Sequence, residues 1–236
     1  MFVFRTTFAF VIFLFVISCA TAPRPLPHFP LAETDRNAAA TVRVNVAKHG
    51  HGSGTIVRLT EGCYIVTSEH VVRHVGFVES TTVSVVVQNA AGIDEERPAK
   101  VLRRDPARDL AIVWTDQCGR GSKVELANDD EAPPGAPIYR IGFPGSKVRE
   151  SSRGFVRKNP FFVHMAPAEL ADFNDGILAD MAGGGGSSGA GVYAAATGRL
   201  VGIHKMSFDR EDGEQSVIVS TKEIRRLMRE YGLDTE

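Results

Sequence analysis

From Thr41 onward, short apolar or alternating runs are separated by Gly, Pro, Asp or Asn. The runs fall at 41–47, 53–59, 63–67, 82–88, 99–103, 110–115, 137–142, 153–157, 161–165, 190–195, 200–206 and 215–220. Period-two alternation and β-branched content read as strands, and the punctuating residues read as turns. Twelve strand-sized runs in one domain predict an all-β fold of paired antiparallel barrels. One segment has helical spacing. Ser220 or Thr221 can cap it, Glu223 suits its first turn, and Ile224, Leu227 and Met228 form an apolar stripe before Gly232. No internal repeat and no second domain is read after it.

The pattern ahead of Thr41 is different. After Arg5, residues 6 to 20 are almost wholly apolar, a run shorter than an ordinary membrane span. Residues 1–22 are expected to be a secretory signal peptide. Val16-Ile17-Ser18-Cys19 resembles a bacterial lipoprotein signal, which makes Cys19 a candidate for lipidation and the N-terminus a candidate membrane attachment. The alternatives are cleavage after Ala20 or Ala22, or retention as a short anchor. Residues 23–40 carry four prolines and read as a linker, which leaves 41–236 as the folded domain.

Composition narrows the function. The chain has 236 residues, 43% of them hydrophobic, with 27 basic and 28 acidic side chains and a formal net charge of -1. Nothing in it is a dense basic block, so nucleic acid is not an expected partner. No Cys/His grouping has metal-site spacing, and no cofactor is expected.

Three residues stand in contexts that suit acyl transfer. His70 follows the strand-like run Cys63 to Thr67, Asp109 opens the apolar run Leu110 to Trp114, and Ser188 follows four consecutive glycines, Gly183 to Gly186. A hydroxyl becomes a useful nucleophile when a base takes its proton, and the base needs a third group to fix its tautomer. Asp105 competes with Asp109 but sits in the preceding turn, whereas Asp109 is attached to the strand. The backbone N–H groups of Gly186 and Ser188 are the candidate donors to an oxyanion. Upstream, the glycines of Gly50-His51-Gly52-Ser53-Gly54 permit close backbone approach beneath such a site. Gly185-Gly186-Ser187-Ser188-Gly189 also fits a nucleophile elbow with Ser187 as nucleophile. That reading needs a helix after the serine and an acid then a histidine downstream, and the sequence after Val192 reads as strand, turn and strand.

With these residues in place, the chain resembles the chymotrypsin-like (trypsin-like) serine endopeptidases, especially bacterial exported proteases of the heat-shock type and the glutamyl endopeptidases. The resemblance is carried by Thr67-Ser68-Glu69-His70-Val71-Val72, Asp105-Pro106-Ala107-Arg108-Asp109-Leu110-Ala111, Gly186-Ser187-Ser188-Gly189-Ala190 and Val201-Gly202-Ile203. It implies two antiparallel six-stranded β-barrels with a C-terminal helix, no accessory peptide-binding domain, and a His70-Asp109-Ser188 triad acting on polypeptides. Ala190 and Gly191 depart from the family's usual Gly and Pro. The alternative reading is a catalytically silent trypsin-like binding module. The resemblance further implies that Cys63 and Cys118 lie at matched distances from the site on antiparallel strands, which makes them a candidate disulfide, with two small buried thiols as the alternative. It also places Ala182, Gly183 and His204 at the substrate pocket. His204 suits an acidic substrate side chain, while Ala182 and Gly183 offer no hydroxyl and leave a small apolar preference open. Lys205 is expected to turn to the opposite face of its strand.

Overall fold

Alternation along β1 (Thr41–Val46) sends Val42, Val44 and Val46 into one core. A computed structural model describes residues 31–59, 62–75, 82–89, 91–119, 123–145, 148–163, 173–211 and 213–233. The expected signal segment and Cys19 lie outside the described residues. β1 pairs with β2 (Gly50–Val57) and β4 (Val83–Gln88), and β3 (Cys63–Thr67), β5 (Asp94–Asp105) and β6 (Leu110–Thr115) complete a closed barrel in the order β1-β2-β3-β6-β5-β4. The second barrel runs β10-β11-β12-β9-β8-β7, built from β7 (Pro137–Gly142), β8 (Glu150–Val163), β9 (Phe173–Met181), β10 (Gly191–Ala194), β11 (Leu200–Arg210) and β12 (Gly213–Ser220). Closure pairs every sheet edge. All ladders between the named strands are antiparallel, as expected.

Twelve strands form, but not the twelve read from the sequence. The run at 153–157 and the described part of the run at 161–165 lie in one long strand, β8, whose pairing with β9 shifts register three times. β9, with Asn174, Asp175 and Gly176 near its start, carries turn-type residues and was not expected. The linker reading also changes. Residues Leu31–Ala40 form α1, and Asn37 is buried with its amide donating to the Tyr139 hydroxyl and the Gly198 carbonyl, both at 2.7 Å. Ala39 and Ala40 are buried with it. All four prolines of the linker reading precede Leu31, and residues 31–40 are rich in helix-forming Ala, Leu and Glu, so the helix agrees with local propensity and Asn37 anchors it.

α3 (Thr221–Glu230) buries Ile224, Leu227 and Met228 as the stripe predicts. Ser220 occupies the N-cap position, but its hydroxyl makes no cap bond. Glu223 is buried and accepts from Arg108 Nε at 2.9 Å, and Arg108 also reaches Glu230 and Asp105. This network fastens the 105–109 turn to the C-terminal helix. Cys63 and Cys118 form a disulfide, with their Cα atoms 5.2 Å apart.

Candidate active site

Strands β3 and β6 pair with Thr67 opposite Ala111. His70 therefore lies just past the end of one strand, in α2 (Glu69–Val72), and Asp109 just before the start of the next. The two are joined at several atoms. The Asp109 carbonyl accepts from the Glu69 amide at 3.1 Å, and Oδ1 accepts from the His70 amide at 2.9 Å. His70 Nδ1 lies 3.0 Å from Oδ1 and 2.9 Å from Oδ2. A carboxylate can only accept, so the ring proton faces Asp109 and leaves Nε2 open as a base. Asp109 has φ 53°, a left-handed conformation that Asp tolerates better than most residues. Asp105, the rival, is paired with Arg108 instead.

Burial pushes the Asp109 carboxyl up, but the His70 hydrogen bond, the His70 charge and Lys205 outweigh it and hold the group below the usual carboxylate range. Lys205 contributes through an ion pair between its Nζ and Asp109 Oδ2 at 2.9 Å, with both side chains buried. This overturns the expectation that Lys205 faces away. The β11–β12 ladder pairs His204 with Ile218 and Met206 with Val217, so Lys205 is the extra residue of a bulge. A bulge interrupts alternation and re-aims side chains, and both His204 and Lys205 reach the cleft.

The first barrel braces the Ser188 loop. The Ser53 amide donates to the Ser188 carbonyl at 2.8 Å, and Ser53 Oγ donates to the Gly186 carbonyl at 2.7 Å while accepting from the Phe143 amide at 2.9 Å. A side chain at Gly52 would press on Val71 and the Ser188 carbonyl, which is the close approach expected of that glycine run. Gly186 and Gly189 have φ 91° and 87°, and a Cβ at either would collide with backbone. Among the described residues, the Gly186 and Ser188 amides have no acceptor. Ser188 borders the cleft, whereas Ser187 is fully buried. The Ser188 hydroxyl donates to the Lys205 carbonyl at 3.1 Å rather than to His70.

The cleft holds about 640 Å³ and is lined in part by His70, Asp109, Gly183, Ser188, His204 and Ser207. Ala182 is exposed and outside this lining, and its carbonyl accepts from Ser152. His204 Nε2 lies 3.0 Å from Ser207 Oγ and 3.2 Å from Ser216 Oγ, and Ser216 donates to the Met181 carbonyl at 2.8 Å. The hydroxyls that Ala182 and Gly183 lack are thus supplied from β11 and β12. Burial, reinforced by the nearby Arg140 charge, lowers His204 to about 3 and keeps it neutral. Sequence reasoning missed Lys205, Arg140, Ser207 and Ser216. Arg140 left a readable trace, as a lone charge inside the otherwise uncharged strand Pro137-Ile138-Tyr139-Arg140-Ile141-Gly142.

Comparison with known proteins agrees with this geometry. A probable periplasmic serine endoprotease DegP-like of Rhizobium meliloti is 24% identical over 166 residues, covering 70% of this chain and 30% of the relative. The periplasmic serine endoprotease DegP of Salmonella typhimurium is 25% identical over 186 residues, covering 77% of this chain and 36% of the relative. The chain therefore spans about a third of the length of these curated relatives. The crystal structure of Deg5 shares the fold, with a TM-score of 0.69 at 20% identity over 83% of this chain and 90% of that one. The family described as the trypsin-like peptidase domain matches residues 52–203. The double barrel, the His70–Asp109 pair at its junction and this match lead to one conclusion: the chain belongs to the trypsin-like peptidase domain family.

Proposed function

We propose that this protein is a serine endopeptidase that uses His70, Asp109 and Ser188. The observation that carries the reading is the His70 imidazole, held through Nδ1 by a buried carboxylate in the cleft that Ser188 also lines. His70 Nε2 takes the proton of Ser188 as Oγ bonds to the scissile carbonyl carbon. The oxygen that gains charge accepts from the Gly186 and Ser188 amides. His70 then gives its proton to the leaving amine as the C–N bond breaks, and water repeats the sequence to release the acid. Gly183 and His204 are part of the wall that meets the substrate side chain. The matched relatives are named as periplasmic, and a disulfide suits an oxidising compartment, so we assign an exported location, with Cys19 as the candidate lipid anchor.

One observation favours a second reading, a binding module without turnover: the Ser188 hydroxyl points to the Lys205 carbonyl. Rotation about its χ1 bond re-aims this hydroxyl, and catalytic hydrogen bonds are often loose before substrate arrives. Digestion of unfolded casein by wild type and by Ser188→Ala separates the two. Cleavage lost in the variant supports the peptidase, and equal cleavage or none in both supports the binding module.

A further inference from the structure

Three titratable groups meet at the base of the cleft. Asp109 Oδ2 lies 2.9 Å from His70 Nδ1 and 2.9 Å from Lys205 Nζ. Contacts of that length to one oxygen leave the imidazole and the ammonium no more than about 6 Å apart. Asp109 and Lys205 are both buried, so water relieves neither charge. Lys205 reaches this point because the bulge between His204 and Met206 turns it inward. Among the described residues, it is the one ammonium or guanidinium in contact with the Asp109 carboxylate.

The other charged groups around this trio are engaged elsewhere. On α2, Glu69 pairs with Arg73, and His74 just beyond it stacks on His49. Arg104 of β5 donates to the Arg73 carbonyl. In the turn before Asp109, Arg108 is held by Asp105 and Glu223. On β11, His204 is kept neutral by burial with Arg140 nearby, and Asp209 lines the cleft. On β12, one Glu214 oxygen accepts from the Gly183 amide at 2.6 Å. Lys205 is therefore the group that sets the charge His70 meets through Asp109.

We infer that Lys205 is a positioning residue that acts through Asp109: it fixes the carboxylate toward His70 and balances its charge, so that His70 stays a free base at lower pH than it would beside Asp109 alone. The inference rests on reading the cleft as a peptidase site and adds the residue that sets its working pH range. A lone buried carboxylate favours the protonated imidazole, and a protonated His70 cannot take the Ser188 proton. An ammonium on the same oxygen opposes that protonation by like-charge repulsion. The His70 side chain is 33% exposed, so water screens the repulsion and limits its effect. A neutral donor at position 205 would also orient Asp109, but only a cation balances it.

The test follows the His70 ring C–H resonance by NMR from pH 4 to 9, with His70→Gln to assign the signal. Wild type is compared with Lys205→Gln, Lys205→Thr and Lys205→Arg. Gln and Thr keep a hydrogen-bond donor for Asp109 while removing the charge, so either serves where the other fails to fold, and circular dichroism checks the fold. The titration midpoint of His70 is expected to rise by about one pH unit in the neutral variants and to stay close to wild type in Lys205→Arg. The acid limb of Ser188 labelling by a fluorophosphonate should move with it. A midpoint that does not rise in the folded neutral variants, or that rises as far in Lys205→Arg, would overturn the inference. Labelling of wild type with an unmoved midpoint removes this inference alone. A midpoint that moves as expected in a protein that takes no label removes the peptidase reading alone.

Discussion

The Lys205 ammonium lies 2.9 Å from Asp109 Oδ2, the same oxygen that His70 Nδ1 approaches at 2.9 Å. The Lys205 carbonyl in turn holds the Ser188 hydroxyl at 3.1 Å. One residue, displaced from its ladder by a β-bulge, thus touches both the acid and the candidate nucleophile. Lys205 and Asp109 neutralise each other in a buried setting where either alone would carry an uncompensated charge.

Replacing Lys205 by Met is expected to cost about 3 kcal/mol at pH 7, because the buried Asp109 carboxylate loses its ammonium partner. The pH dependence has a definite sign. Asp109 is held below its usual range, so its contribution is present above an unfolded value of about 3.9 and is lost as pH falls through the lower folded value. Without Lys205 that folded value rises toward the unfolded one, so the acid loss due to Asp109 is smaller and is complete at higher pH. Urea unfolding of both proteins at pH 7, 5, 4 and 3 checks this. Parallel curves would show that the ion pair adds nothing.

Asp109→Asn is expected to lower turnover by about 10³ to 10⁴, through loss of the correct imidazole tautomer. It should also destabilise the fold, because the Lys205 ammonium is left buried without its counter-charge. Adding Lys205→Met to Asp109→Asn should restore stability, with a coupling of about 1 kcal/mol or more. A double-mutant cycle in urea measures it, and additive losses would contradict the pairing. Turnover should not return in the double variant.

Much of this architecture was legible from residues 41 onward, and the reasons are local. His70, Asp109 and Ser188 each adjoin a short, almost wholly buried apolar strand, so their placement follows from β3, β6 and β10. The strand that follows favours Ser188 over Ser187 in the sequence; Ser187 is fully buried, and Ser188 borders the cleft. α1 is a miss of local reading, since the prolines all precede Leu31. The remaining misses share a cause, which is that tertiary contact decided the outcome. Asn174, Asp175 and Gly176 enter β9 because β8 and β12 pair on either side of it. A bulge at Lys205 leaves no mark in a hydrophobicity pattern, so alternation gave the wrong face. Ser207 and Ser216 are unremarkable in sequence and meet only because β11 and β12 place them opposite each other.

The Cys63–Cys118 disulfide spans a sequence separation of 55 residues. Loop-closure entropy for a ring of that size gives a stabilisation of about 4 kcal/mol. Cys63→Ala/Cys118→Ala should lose a comparable amount in urea unfolding, and the melting midpoint of wild type should fall on reduction while that of the double variant does not move. Equal midpoints with and without reductant in wild type would contradict a structural role.

Gly186 has φ 91° and lies against the Phe143 carbonyl, so Gly186→Ala is strained both in conformation and in space. The substitution should turn its amide away from the oxyanion position and lower kcat by about 10² to 10³. Steady-state hydrolysis of a small ester, with circular dichroism to confirm the fold, measures the effect. Unchanged kcat in the folded variant would remove Gly186 from the oxyanion site.

The proposed mechanism stands on Ser188 as a nucleophile activated by His70. Purified protein treated with a fluorophosphonate and digested for mass spectrometry tests it most directly. One covalent adduct is expected, on Ser188, absent from Ser188→Ala and forming far more slowly in His70→Ala. An adduct on Ser187, or a folded protein that takes no label, would contradict it.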